Sequence, residues 1–106
     1  MSDIELVQGD TGPDIEATLR LHDGDTPLDL TDATEVRFQM RRVHSDQYAI
    51  DRPAEIMDAT QGRVMFVIID GDLAQWGDYI AQWEIHWSDG TVTTTNPANT
   101  VEVRRQ

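Results

Sequence analysis

Apolar and polar residues alternate with a two-residue period along most of the chain. This is the signature of strands with one face in a core and the other in solvent. Ile4 and Leu6 predict a short first strand, and Ile15, Ala17, Leu19 and Leu21 a half-buried second one. The stretch from His22 to Pro27 holds Asp23, Gly24 and Asp25 and reads as a turn, with Gly and Pro supplying the backbone geometry. Val36, Phe38 and Met40, separated by Arg37, Gln39 and Arg41, predict the next strand. Ala54 to Met57 predicts a weak short strand after Pro53. Val64, Phe66 and Ile68 predict another, opened by Gly62 and closed by Asp70 and Gly71.

The clearest strand runs from Asp78 to Ser88. Tyr79, Ala81, Trp83, Ile85 and Trp87 fall on one face, and Ile80, Gln82, Glu84 and His86 on the other. Asp89-Gly90 is a hairpin signal, Thr91 to Thr95 the returning strand, Asn96-Pro97 a break, and Thr100 to Arg104 a last extended segment. Helical period is nearly absent: only Asp72 to Trp76, ended by Gly77, offers a turn of helix crossing between sheets. The pattern predicts one all-β domain over residues 1–106, a sandwich or barrel of about seven antiparallel strands. Trp83 and Tyr79 are its expected centre.

Charge narrows the function classes. Asp and Glu total 20 against 8 basic residues, a net charge of −12, and every basic residue is Arg. Phosphate backbones are repelled by such a surface, so nucleic acid is not an expected partner. The acids lie between apolar strands rather than in one run, so a disordered acidic tail is not expected either. Two readings remain: a well-solvated surface, or adaptation to high salt, in which counter-ions screen the self-repulsion. The Arg-for-Lys usage and the excess of Asp over Glu fit the second. No apolar run is long enough to span a bilayer and no leader pattern opens the chain, so the expectation is a soluble, unsecreted protein without a membrane partner. With no Cys there is neither a disulfide framework nor a thiol nucleophile.

Candidate chemistry is thin. Asp23-Gly24-Asp25 and Asp70-Gly71-Asp72 present oxygens suited to a hard cation, but neither has the ligand spacing of a calcium loop, and turns account for both. His22, His44 and His86 are far apart and lack metal-ligand spacing. Ser2, Ser45 and Ser88 lack a nucleophile context. Gln8 to Pro13 is not a phosphate loop. Trp76 and Trp87 suit a sugar-stacking platform, with core or interface packing the plainer reading. No catalytic residue, cofactor or metal is therefore expected, and the chain is read as a non-enzyme.

An ordered set of segments carries a resemblance. Gln8 to Pro13, Ala17-Thr18-Leu19, Asp23-Gly24, Leu28 to Thr31 and Val36 to Arg41 resemble the start of the N-terminal domain of phage baseplate upper proteins. Gly62-Arg63-Val64, Asp72, Gly77 to Glu84, Asp89-Gly90 and Asn96-Pro97 follow the same family's order and spacing. The resemblance implies an immunoglobulin-like virion domain that docks onto neighbouring tail or baseplate proteins without catalysis. Gly77 and Tyr79 resemble the corner of such folds, where a Tyr hydroxyl bonds back to the backbone. Baseplate upper proteins usually continue into a longer part, whereas this chain stops at Gln106, which suits a minimal adaptor or a decoration subunit.

The expected function is thus a structural part of a tailed virus of a halophilic host, located in the tail or baseplate. Its expected partners are other virion proteins and further copies of itself in a symmetric assembly. The alternatives are a capsid-surface decoration protein and a small module binding sugar or calcium. Expected interface residues are Ile4 and Leu6 at one terminus, Val101 and Val103 at the other, and the basic Arg41, Arg42, Arg104 and Arg105.

Overall fold

The computed structural model describes residues 4–11, 14–20, 26–94 and 99–105. Nine strands follow one another: β1 Ile4–Val7, β2 Asp14–Thr18, β3 Ala33–Arg42, β4 Tyr48–Pro53, β5 Glu55–Asp58, β6 Arg63–Val67, β7 Gly77–Trp87, β8 Val92–Thr94 and β9 Asn99–Arg104. No helix occurs among the described residues. The larger sheet runs β1-β9-β7-β3-β4, with β8 also paired to β7, and the smaller runs β2-β6-β5. Neighbours distant in sequence, β3 beside β7 and β2 beside β6, place the chain in the immunoglobulin-like sandwich class.

The count and direction of strands differ from the sequence expectation in three places. β8 and β9 share the same flank of β7, one beside Glu84 to His86 and the other beside Gly77 to Ala81, so they are two pieces of one sheet position. The Asn96-Pro97 break expected between them lies outside the described residues. β1 pairs with β9 in parallel, with Ile4 opposite Val101 and Leu6 opposite Val103, so the strands are not all antiparallel. β4 has no counterpart in the sequence reading. Its inward positions are Ile50 and Arg52, and the Arg hides the alternation. The Arg52 stem lies between the sheets, with its guanidinium 4.8 Å from the Phe66 ring centroid.

The core is the meeting of the alternating faces. Val36, Phe38 and Met40 of β3 and Tyr79, Ala81, Trp83 and Ile85 of β7 face Ile15 of β2 and Val64 and Phe66 of β6, all buried. Phe38 is the ring at the centre. It stacks on Phe66 of the opposite sheet at 4.6 Å between centroids and takes the edge of Trp83 at 5.0 Å. Trp83 and Tyr79 are buried as expected. Leu30 and Leu73, which no strand pattern flags, are buried from loops, and Leu19 and Ile68 are buried just beyond their strand ends. Leu21 lies outside the described residues.

The stretch Asp72 to Trp76 forms turns and bends, not a helix. Five residues are too few to offset the cost of nucleating one. Asp72 is also committed elsewhere: its carboxylate accepts the Ile69 N–H at 2.8 Å and binds Arg52 through both oxygens at 2.6 and 2.8 Å. At the other end of this loop the Tyr79 hydroxyl donates to the Gln75 carbonyl at 2.8 Å. A Tyr at the start of a long central strand bonding back to the preceding backbone is the corner expected of this fold class.

Candidate functional site

Strand alternation decides where the expected interface residues go. Leu6, Val101 and Val103 point inward and are buried, so at this end of the sandwich they contribute packing. Ile4 stands on β1 opposite Val101. What the pair presents outward is the open flank of β1, the outermost strand of the larger sheet. Arg104 is exposed and sits 3.5 Å from Glu102. Arg41 and Arg42, neighbours in sequence, part company because successive side chains oppose each other. Arg41 Nη1 donates to the Ser45 carbonyl at 3.0 Å. Arg42 turns to the end of the sandwich, where its Nη1 donates to Gln75 Oε1 at 3.1 Å and its guanidinium lies 5.5 Å from the Tyr79 centroid.

Arg42 and Arg105 meet at one place. The β6–β7 loop folds over the ends of β1 and β9, tied down by Gly9 N–H to Leu73 O at 2.9 Å and Gln8 Nε2 to Ala74 O at 2.9 Å. This leaves a cavity of about 320 Å³ lined by Gln8, Arg42, Ala74, Gln75 and Trp76. Trp76 is 52% exposed, and the Arg105 guanidinium lies 5.9 Å from its ring centroid. Sequence reasoning named Arg42, Arg105 and Trp76 separately as contact candidates, and met Gln8 and Gln75 only inside segments given no contact role. The signal for the grouping is the pairing of β1 with β9 and of β3 with β7, which periodicity does not report.

Trp76 and Trp87 do not form a shared platform. Trp76 precedes and Trp87 ends the 11-residue β7, which puts them about 35 Å apart at the usual rise per residue. Trp87 is half-buried, with its Nε1 donating to Thr93 Oγ1 at 2.9 Å. The other expected loci are placed as follows. Asp23-Gly24-Asp25, His22, Ser2 and Gly12-Pro13 lie outside the described residues. His86 Nε2 is 2.6 Å from Glu84 Oε1 on the outer face of the larger sheet. There, Gln39 is only 4% exposed, and its amide links Asp51, Glu84 and Gln82 into a polar network that reaches the Tyr48 hydroxyl.

The acids with shifted pKa are engaged in structural bonds. Asp29 and Asp89 each accept the hydroxyl and the N–H of the Thr two residues on, and these bonds hold both carboxyls below the usual range. These are turn contacts. The Arg37 guanidinium lowers Asp51 in the same way. Burial of Asp72 acts to raise its carboxyl, but the bonds from Arg52 and the Ile69 N–H outweigh it and hold it low. A carboxyl depressed on folding contributes stability above its unfolded pKa, near 3.8, and loses that contribution as pH falls through the native value. In Asp72→Asn the domain is expected to lose about 1–3 kcal/mol at pH 7. Wild type and variant then converge towards pH 3, read from urea midpoints across the acid range.

The comparisons with known proteins agree with this architecture. The crystal structure of CopC from Methylosinus trichosporium OB3b is similar at a TM-score of 0.57 and 7% identity, covering 100% of this chain and 87% of that one, a likeness of fold alone. Comparison with curated proteins gives no match. The family model of the BppU N-terminal domain matches residues 2–103. The chain therefore belongs to the BppU N-terminal domain family, that of the phage baseplate upper protein, and so to the structural proteins of the virion tail.

Proposed function

We propose that the chain is a non-enzymatic baseplate component that docks onto neighbouring virion proteins through the ends and open flanks of its sandwich. The observation that carries this reading is the family match over nearly the whole chain, residues 2–103. The fold supports it physically. β1 and β4 bound the larger sheet and β2 and β5 the smaller, and such outer strands offer backbone groups to an added strand. We place the chain in the tail rather than on the capsid, in several copies related by the particle's symmetry. Antibody labelling of intact particles should mark the tail tip. Labelling spread over the capsid would contradict the reading.

A saline setting belongs to the same proposal. With a net charge of −12 on 106 residues, repulsion between surface acids opposes the compact state, and salt shortens its range from about 10 Å at 0.1 M to about 3 Å at 1 M. The thermal midpoint is expected to rise by about 5–10 °C between these concentrations of KCl, equivalent to one or two kcal/mol in a domain of this size. A flat midpoint would leave the acidity as solvation alone.

A further inference from the structure

From the recess at the end of the sandwich we infer a docking site for a carboxylate-bearing segment of a neighbouring virion protein, held by Arg42, Arg105 and Trp76. The inference rests on the proposed docking role and specifies its surface. The sequence holds 20 acids to 8 arginines, so cationic surface is scarce on this domain. Arg37, Arg52 and Arg104 lie against carboxylates. Arg41, Arg42, Arg63 and Arg105 join no ion pair among the described residues, and of these Arg42 and Arg105 lie over aromatic rings, Tyr79 and Trp76. Arg42 lines the cavity of about 320 Å³, whose wall carries the half-exposed indole of Trp76, and Arg105 reaches it over that ring. Positive charge and apolar surface thus coincide in a concave place on a strongly negative molecule.

That combination defines the occupant. A guanidinium presents a planar fork of donors that matches a carboxylate, and an adjacent aromatic ring lowers the hydration around the pair. Trp and Arg are also the residues that most often dominate protein interfaces. The recess is braced by its own hydrogen bonds: Gln8 Nε2 donates to Ala74 O, Gln75 Oε1 accepts from Arg42, and the Gln75 carbonyl accepts from Tyr79. Less conformational freedom is then lost on binding. The open flank of β1 lies beside it, so a segment running along that strand would bring its acidic side chain to the recess. A second recess, lined by Met65, Val67 and Ile69 beside Glu55, has no such charge complement; its one lining arginine, Arg52, is held by Asp72.

The test uses particles assembled with the full chain carrying Trp76→Ser, Arg105→Gln, the double change Arg42→Gln with Arg105→Gln, or Val67→Ser in the second recess. Copies per purified particle are counted by quantitative mass spectrometry. The expected result is a loss of about tenfold for Trp76→Ser and for the double variant, and none for Val67→Ser. A photo-crosslinking side chain at position 76 should capture a virion peptide containing Asp or Glu. Should the Arg42 change impair folding, the exposed positions 76 and 105 decide the matter alone. Full occupancy in every recess variant, with loss in Val67→Ser, would overturn the recess as the docking surface and leave the baseplate role standing. Absence of the wild-type chain from tails would overturn that role and this inference with it. Saturable binding of a glucuronate oligosaccharide, abolished by Trp76→Ser, with no protein crosslink, would replace the protein segment by an acidic glycan.

Discussion

Phe38→Ala is expected to cost about 3–5 kcal/mol, a large part of the total stability of order 5–15 kcal/mol that a domain of this kind has. Phe38 comes from the middle of β3, is fully buried, and touches rings from both sheets: Phe66 at 4.6 Å across the sandwich and Trp83 at 5.0 Å beside it. Truncation removes transfer free energy and leaves a cavity against two large rings and the Arg52 stem, which cannot all move in. Phe38→Leu keeps most of the volume and should cost nearer 1.5 kcal/mol. Urea unfolding at fixed salt reads both. A loss below about 1 kcal/mol for the alanine variant would show that the two sheets are not held through this ring.

Gly62→Ala is the second large effect, and it arises from backbone rather than side chain. Gly62 has φ +68 and stands at the start of β6, after a turn closed by its N–H to the Ala59 carbonyl at 3.2 Å. An added Cβ would lie 2.6 Å from both the Leu19 and Leu28 carbonyl oxygens. The Leu19 oxygen is held in place. Leu19 accepts from the Leu28 N–H and donates its own to Gly62 O, both at 2.8 Å. The left-handed backbone alone costs about 1 kcal/mol for alanine. The clash raises the expected total to about 3 kcal/mol or more. Gly90→Ala separates the two contributions. Gly90 has φ +91 but open space around its Cβ position, so only the smaller conformational cost is expected. Equal losses at positions 62 and 90 would refute the close approach.

Most of the fold was legible because burial and period coincide. β3, β6 and β7 carry apolar residues at their buried inward positions, and the sequence marks each one. Trp83 and Tyr79 were identifiable as core for the same reason. That Phe38 is the central ring was not, since it depends on which strand of the other sheet lies opposite. β4 was missed because Arg52 occupies an inward slot, a placement made possible by Asp72, 20 positions along the chain. The parallel joining of β1 to β9 has no local signal either, as both strands are short and alternate equally well in either direction. That pairing brings Gln8 beside Arg105, and the β3–β7 pairing with the β6–β7 loop contacts adds Arg42 and Trp76 at the same end. The sequence therefore offered the right charged and aromatic residues for a contact surface but not their grouping, and it assigned to that surface Leu6, Val101 and Val103, which packing takes into the core.

A cryo-electron microscopy reconstruction of the intact particle tests the central claim most directly. The account predicts density for this two-sheet sandwich in repeated copies at the tail baseplate, with the Trp76 end of the domain against a neighbouring protein. Density for the sandwich on the capsid surface, or a particle from which the chain is missing, would contradict it.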